Sequence, residues 1–358
     1  MTRIIASRTW IAATTDGAAR LAVPPFEHRL GERAGPDERG VKPRLGQLPR
    51  EAAAQVVSDD RWPSRGFMPR ITVMAALTLL LIVDNAAAQA PSSDIYLVPL
   101  SRAGDGWALG TPVNATARAG YDNQPFFLPD GSGFLYTSIR EDRQADTYRY
   151  DLTTRAAVRV TTTTESEYSP TPIPHRPGWF SVIRVEADST QRLWAFRLDG
   201  TSPELVLADV KPVGYHAWIE GGGLALFVLG SPATVQIVSA PGAAPRSIAG
   251  NAGRAFARMD GRSSVLFSQL HAGAYQISRL DLPSLTIRPL ARAPRNDFFA
   301  WHNGALFAAD GSRVLTFRPG RDTAWAEVSD LGPQGLRNLT RLAVSPDGRW
   351  LAVVGNDQ

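Results

Sequence analysis

Short apolar and polar runs alternate through most of the chain, and its C-terminal end shows the pattern most plainly. Two apolar runs, at residues 342–344 and 350–354, flank the tetrapeptide Ser345-Pro346-Asp347-Gly348. Proline presets φ at the second position of a tight turn, and glycine tolerates the positive φ that follows. The pattern therefore predicts a β-hairpin. Because an isolated hairpin is only marginally stable, this one requires partner strands.

The turn of this hairpin recurs at a nearly constant interval. Six turn positions lie 40–45 residues apart, at Asp130, His175, Glu220, Asp260, Asn303 and Asp347. Strand-like runs with period-2 alternation follow the first five hairpins, at 146–152, 192–198, 234–238, 274–280 and 313–317. Shorter fourth runs come next, at 158–162, 204–207, 246–248, 286–290 and 324–328. Four antiparallel strands in such a repeat are typical of one β-propeller blade.

The sixth repeat holds only the hairpin around Asp347, and its missing strands match the pattern near residue 94. Residues 94–100 fit a third strand, and residues 107–115 fit a fourth. We therefore predict an all-β fold, a six-bladed β-propeller of four antiparallel strands per blade, with the last blade closed by N-terminal strands. We expect residues 91–358 to form this single domain.

The N-terminal 90 residues differ from the rest in composition. Residues 1–67 are rich in Arg, Pro, Gly and Ala, and we interpret them as a disordered leader or, preferably, as residues upstream of the true start. From Met68, a short basic stretch, an apolar run at 71–83 and small residues at 84–90 have the order of a secretory signal peptide. Cleavage is expected after Ala88 or Ala90. This predicts a periplasmic or secreted protein.

Charge and cysteine content exclude several classes of function. Residues 1–90 hold 12 of the 38 basic and 9 of the 34 acidic residues, so residues 91–358 carry a net charge of only about +1. A basic surface for nucleic acid is therefore not expected. The sequence contains no cysteine, which excludes a lipoprotein anchor, a cysteine nucleophile and disulfide bonds.

The repeat resembles a known family. Asp122-Asn-Gln-Pro-Phe-Phe-Leu-Pro-Asp-Gly131, followed by Asp146-Thr-Tyr-Arg-Tyr-Asp-Leu152 and Val160-Thr161, is similar to the TolB-type WD-like repeat, also called PD40. The resemblance is strong around Asp130 and Asp347 and weak around Glu220 and Asn303. It implies a periplasmic propeller that binds proteins or small ligands at its faces. TolB itself has an α/β domain ahead of the propeller, whereas here the first predicted strand begins within a few residues of the predicted cleavage site, so we do not expect the partners of TolB to carry over.

Signals for catalysis are weak in this sequence. There is no G-x-S-x-G nucleophile motif, no H-x-x-x-H pair and no calcium-loop motif, so we predict no metal and no cofactor. The four histidines within residues 91–358, at 175, 216, 271 and 302, are expected at the surface or in packing contacts. Asp122, Glu167 and Asp297 could act as paired carboxylates. We expect Asp122 and Glu167 instead to accept hydrogen bonds from backbone amides, as in Asx-type turns.

Aligning the repeats on their turns predicts a packing role for the inner-strand side chains. Large residues occupy the column of Phe126 and the column of Leu128, with mostly small residues between them, as wedge-shaped blades require. We therefore expect core between blades rather than an aromatic binding box. Arg258 stands in an otherwise apolar column and must find a partner or face the channel.

These features together favour a binding or scaffold module without catalytic residues, and we expect a monomer without a membrane span after signal cleavage. Its partner would be an envelope or extracellular protein, or a small ligand, at the channel mouth. Two alternatives stay open: a metal-dependent sugar lyase or lactonase with its site in the channel, and a degenerate module that lost a partner domain. Loops that join one blade to the next are expected to carry the site. With Arg258, the candidates are Tyr121, Asp122, Asn123, Glu167, Tyr168, Tyr215, His216, Arg254, Asn296, Asp297, Arg337 and Asn338.

Overall fold

The computed structural model describes residues 92–259 and 263–356, and these residues form six antiparallel β-sheets. The predicted leader at 1–67 and signal peptide at 68–90 lie outside the described residues, as does the predicted turn residue Asp260. Five sheets follow one another along the chain with four strands each. The sixth combines strands from both ends of the described region. The prediction of an all-β, six-bladed propeller is confirmed.

The strands are short, as expected for blades that wrap around a central axis. In chain order they are β1 (Asp94–Ala103), β2 (Gly106–Leu109), β3 (Val113–Asn114), β4 (Tyr121–Phe127), β5 (Gly133–Ile139), β6 (Ala145–Asp151), β7 (Ala157–Arg159), β8 (Ser166–Pro172), β9 (Trp179–Val185), β10 (Gln191–Arg197), β11 (Glu204–Leu205), β12 (Val213–Trp218), β13 (Leu224–Val228), β14 (Thr234–Val238), β15 (Arg246–Gly250), β16 (Ala252–Arg258), β17 (Ser264–His271), β18 (Ala274–Asp281), β19 (Thr286–Arg292), β20 (Ala300–His302), β21 (Ala305–Asp310), β22 (Arg313–Phe317), β23 (Ala326–Asp330), β24 (Leu342–Val344) and β25 (Trp350–Gly355). Single 3₁₀ turns occur at Glu220–Gly222 and Gly332–Gln334.

Each blade begins with the strand nearest the axis. Blade 1 is β4 to β7, blade 2 is β8 to β11, blade 3 is β12 to β15, blade 4 is β16 to β19, and blade 5 is β20 to β23. Blade 6 runs from β24 through β25 to β1, with β2 and β3 both paired to β1. We call β4, β8, β12, β16, β20 and β24 the inner strands. Their repetition around the ring aligns residues that are about 40–45 positions apart in sequence.

The ring is closed by pairing between β1 and β25. Their antiparallel register runs from Asp94 opposite Gly355 to Pro99 opposite Trp350. The predicted fourth strand at 107–115 is wrong in detail, because the chain forms two separate strands, β2 and β3, around residues 110–112. Pro112 lies in this break and has no N–H to donate to a continuous ladder.

The other outermost strands also differ by a few residues from their predicted ranges. Residues 157–159 replace the predicted 158–162, and residues 326–330 replace the predicted 324–328. These strands are largely exposed, and Val158 retains 63% of its surface. Because an exposed edge strand buries little apolar surface, its sequence carries only a weak alternation signal.

The hydrophobic core lies between adjacent blades. Leu135 of blade 1 packs in one cluster with Phe180 and Phe196 of blade 2, and all three side chains are fully buried. Between blades 6 and 1, Ile95 packs in one cluster with Phe134. Each sheet thus buries both faces against its neighbours, which positions the inner strands rigidly around the axis.

Bulges mark the beginning of several inner strands. The register shifts between Asn123 and Phe126 in blade 1 and between Tyr168 and Thr171 in blade 2. A bulge bends its strand and re-aims the side chains on either side. Side chains at the start of an inner strand therefore have a different direction from those after the bulge. These first residues lie at one mouth of the channel.

Candidate ligand-binding channel

A cavity of about 520 Å³ follows the axis of the ring. All six inner strands contribute to its lining, with residues such as Phe126, Thr171, Ala217, Phe256, Trp301 and Ala343. The prediction that the large inner-strand residues form core between blades is wrong for Phe126, which is 46% exposed and lines the cavity. It holds for Leu128, which is buried and clusters with Phe180 and Phe196 of blade 2.

Six residues, one from each blade, surround one mouth of this channel. In blade order these residues are Tyr121, Tyr168, Tyr215, Arg254, Phe298 and Arg341, and we call them the mouth cluster. Ring contacts, hydrogen bonds and electrostatic interactions link them. The cluster combines three phenols, one phenyl ring and two guanidinium groups, which is a set of side chains suited to binding.

Arg341 spans the channel mouth. Its Nη2 donates a hydrogen bond to the hydroxyl of Tyr215 over 2.9 Å. Its guanidinium lies 4.9 Å from the Tyr215 ring centroid and 4.3 Å from that of Phe298. Because Arg341 belongs to blade 6 and Tyr215 to blade 3, the contact joins opposite sides of the ring.

Arg254 is held by a buried carboxylate. Its Nε and Nη2 each donate to Asp297 over 2.8 Å, and its backbone amide donates to Asp297 Oδ2 over 2.7 Å. Burial alone would raise the pKa of Asp297, but these hydrogen bonds hold it below its ordinary value. The Arg254 guanidinium also lies 4.5 Å from the Phe298 ring centroid, on which Arg341 packs as well.

Tyr121 is mostly enclosed within the cluster. Burial raises its pKa to about 12, against the opposing effect of the Arg341 and Arg254 charges. Tyr215 and Tyr168 also interact with it and raise its pKa further. Tyr121 is therefore a neutral hydroxyl at any physiological pH.

The prediction that backbone amides hold the buried carboxylates of blades 1 and 2 is wrong, because their partners are side chains. Asp122 instead pairs with Arg118, whose Nη1 lies 3.0 Å from Oδ2. Glu167 accepts a short hydrogen bond from Thr163 and lies 3.7 Å from the Nε of Arg184. Burial raises the pKa of both carboxyls, to about 7 for Glu167.

His216 forms a contact that outwardly resembles a catalytic pair. Its Nε2 lies 2.7 Å from Ser181 Oγ, which also accepts a hydrogen bond from Trp218 Nε1 over 2.8 Å. Ser181 is fully buried, so no substrate carbonyl can reach its oxygen. Burial also lowers the pKa of His216 to about 3. The arrangement is a packing contact between blades 2 and 3.

The remaining predicted residues are more dispersed. Arg258 lies at the far end of β16, about 13 Å along the channel from Arg254 at the usual rise per strand residue. It is exposed and lines the cavity. Asn296 accepts a hydrogen bond from the Phe298 backbone amide over 2.9 Å. Arg337 and Asn338 are exposed ahead of β24.

The predicted location on loops is wrong for several candidates, because inner strands begin earlier than expected. Tyr121 to Asn123 lie in β4, Glu167 and Tyr168 in β8, and Tyr215 and His216 in β12. Phe298 and Arg341 were not among the residues predicted from the sequence. Arg341 immediately precedes Leu342, just as Arg254 precedes Ala255, so extending the repeat alignment two positions upstream would have revealed it.

Two further features of the described residues bear on function. Across residues 92–259 and 263–356, no three His, Asp or Glu side chains are grouped so that they could hold a metal ion. Within the same part of the chain, no helix has the length and apolar character needed to cross a membrane.

Comparisons with known proteins agree on the fold. No protein-family model matches the sequence, and no curated protein matches it. A structure of a candidate TolB from Agrobacterium tumefaciens aligns with a TM-score of 0.58 at 14% identity, over 74% of this chain and 98% of that one. A gluconolactonase from Xanthomonas campestris aligns with a TM-score of 0.53 at 10% identity, over 75% and 97%. A chain of a nidogen–laminin complex aligns with a TM-score of 0.50 at 11% identity, over 65% and 92%. At these identities the likeness concerns the propeller scaffold alone.

Proposed function

We propose that this protein is a non-catalytic binding propeller whose site is the mouth cluster and the channel behind it. The observation that carries the proposal is the convergence of one large polar or aromatic residue from each blade on the channel mouth. Tyrosine and arginine dominate the energetics of many binding sites, and a rigid ring positions them with little loss of entropy on binding.

The alternative of a metal-dependent lyase or lactonase is less well supported by the channel lining. Within the part of the chain that the structure describes, the cavity lining includes Arg254, Arg258 and Arg341 and no Asp or Glu. Divalent metals that act on sugars prefer carboxylate and imidazole ligands. A channel lined by guanidinium groups repels a cation. The gluconolactonase relative shares the scaffold, and its activity does not transfer at 10% identity.

We further propose that the protein acts in the periplasm or outside the cell after cleavage of a signal peptide at residues 68–90. N-terminal sequencing of protein recovered from that compartment tests this. A mature N-terminus at Gln89 or Pro91 is expected, and a mature product that retains residues before Met68 would contradict it.

A channel-blocking variant tests the binding function. Ala217 lines the cavity and is partly exposed, so Ala217→Trp should fill the channel without disturbing the buried core. We expect no turnover of lactones or oligouronides by either protein. We also expect retention of a ligand or envelope protein by the wild type that the blocked variant loses. Arg288→Met, on an exposed outer strand, is the control and should retain binding.

Turnover by the wild type that disappears in Ala217→Trp but persists in Arg288→Met would overturn the proposal. It would place a reaction in the channel and favour the enzyme alternative.

A further inference from the structure

The charge of the channel lining is unbalanced. Among the described residues that line the cavity, three are arginines, Arg254, Arg258 and Arg341, and none is acidic. Asp297 lies behind the lining and neutralises the charge of Arg254, whose Nε and Nη2 each donate a hydrogen bond to its carboxylate. The wall therefore presents a net positive charge to whatever enters it.

Arg341 differs from Arg254 in its partners. Within residues 92–259 and 263–356, no carboxylate forms an ion pair with Arg341. Its hydrogen-bond acceptor is the Tyr215 hydroxyl, and two aromatic rings lie beside the guanidinium. A guanidinium carries five N–H donors in a planar fork that matches two oxygens of an anion. Most of this donor capacity is left for a ligand.

The remainder of the wall is largely apolar. Phe126, Phe256 and Trp301 line the cavity together with prolines and alanines. Its volume of about 520 Å³ lies in the range of pockets that enclose a small molecule. Apolar walls favour the transfer of an apolar body out of water, and aromatic rings favour a planar one.

We infer that the channel binds a small amphiphilic anion, with an apolar, planar body along the inner strands and a single anionic head group against Arg341. This inference rests on the proposed binding function and names the ligand class for the same site. The anion replaces the Tyr215 hydroxyl as the acceptor for Arg341, so a charge-assisted pair takes the place of a hydrogen bond to a hydroxyl.

Two dyes of the same shape test the inference. 8-Anilinonaphthalene-1-sulfonate carries an anionic group, and N-phenyl-1-naphthylamine has the same rings without it. Fluorescence titration of the full-length protein is expected to show one saturable site, with the sulfonate bound at least tenfold more tightly than the neutral dye. A hydrogen bond to a charged group increases binding affinity by about a factor of ten or more.

Three variants locate the site. Arg341→Met should weaken the sulfonate at least tenfold and leave the neutral dye within twofold of the wild type. Tyr215→Phe keeps Arg341 and removes its competing acceptor, so sulfonate affinity should increase. Arg288→Met removes an arginine from an exposed strand and should alter neither dye. Circular dichroism and thermal melts identify any variant that fails to fold, and Arg341→Lys then replaces Arg341→Met, with an intermediate affinity expected.

The outcomes separate this inference from the proposed function. If Ala217→Trp abolishes the binding of both dyes but the wild type binds them equally well, the channel binds ligands and the anionic class is wrong. If both dyes bind Ala217→Trp as well as the wild type, they occupy another surface. That result overturns the inference and weighs against the channel as the site.

Discussion

Arg341 and Tyr215 meet across the channel, with 2.9 Å between the guanidinium Nη2 and the phenol oxygen. They are 126 residues apart in sequence and belong to opposite blades. Neighbouring blades are held together by their buried faces, but this contact joins blades that share no face. It reports directly on the width of the channel mouth, and the same pair lies where a ligand would be recognised.

The Arg341–Tyr215 contact should be measurable as a coupling energy. In a double-mutant cycle of Arg341→Met and Tyr215→Phe, we expect a coupling of about 1 kcal/mol in the free energy of unfolding, the usual value of one hydrogen bond. Urea denaturation of the four proteins gives this number. Effects that add within about 0.3 kcal/mol would mean that the two side chains do not interact in solution.

The Arg254–Asp297 pair should respond unequally to loss of either partner. Asp297 is 1% exposed and the Arg254 side chain is 45% exposed. Arg254→Met leaves a buried carboxylate unpaired and should cost about 2–3 kcal/mol of stability, whereas Asp297→Asn leaves a solvated guanidinium and should cost about 1 kcal/mol. Chemical denaturation at pH 7 compares them. Equal losses of stability in the two variants would contradict the burial of Asp297 and the exposure of Arg254.

Glu167 should make stability fall as pH rises. Because burial raises its pKa from 4.5 to about 7, the folded state favours the protonated carboxyl. Its contribution is complete below pH 4.5 and is lost as pH rises through about 7, by roughly 3 kcal/mol in total. Glu167→Gln cannot titrate, so the difference in stability between wild type and variant should change by that amount between pH 4.5 and 8.

Glu204→Gln provides the matched control for this pH dependence. Glu204 lies exposed on β11, and the Arg176 guanidinium lowers its pKa, so the substitution should not flatten the profile between pH 4.5 and 8. A wild-type profile that runs parallel to that of Glu167→Gln would show that Glu167 is ionised in the fold.

Because β1 closes the ring, its buried residues should contribute as much to the free energy of unfolding as buried residues of any other blade. Ile95 is fully buried, as is Ile183 in blade 2 at 2% exposure. Replacement of either by alanine should cost about 2–5 kcal/mol. Val158→Ala, at an exposed edge, should cost no more than about 0.5 kcal/mol. A cost for Ile95→Ala as small as that for Val158→Ala would contradict closure. So would a cooperative melt in protein that begins near Gly120.

The propeller could be predicted because its signal repeats six times. Turn residues such as Asp130 and Asp347 recur with each blade, and an error in one repeat is outweighed by the others. The pairing of β1 with β25 followed from counting strands. The outermost strands were placed less well, since their exposed residues alternate weakly and Pro112 breaks one of them.

The candidate site was only partly predictable from the sequence. Tyr121, Tyr168, Tyr215 and Arg254 were identified because they precede or begin inner strands. Arg341 was missed because the repeat alignment began at the Phe126 column, two positions downstream of the column in which Arg341 aligns with Arg254. The roles of Asp122 and Glu167 were misjudged for a different reason, since their partners are side chains such as Arg118 and Arg184 rather than adjacent backbone amides.

The most direct test of the channel as an anion-binding site is a crystal structure of the protein soaked with 8-anilinonaphthalene-1-sulfonate. We expect density for the rings along the inner strands, with the sulfonate within hydrogen-bond distance of the Arg341 guanidinium. Dye bound only between blades or at the outer edges, with the Arg341–Tyr215 hydrogen bond intact and the channel empty, would contradict it.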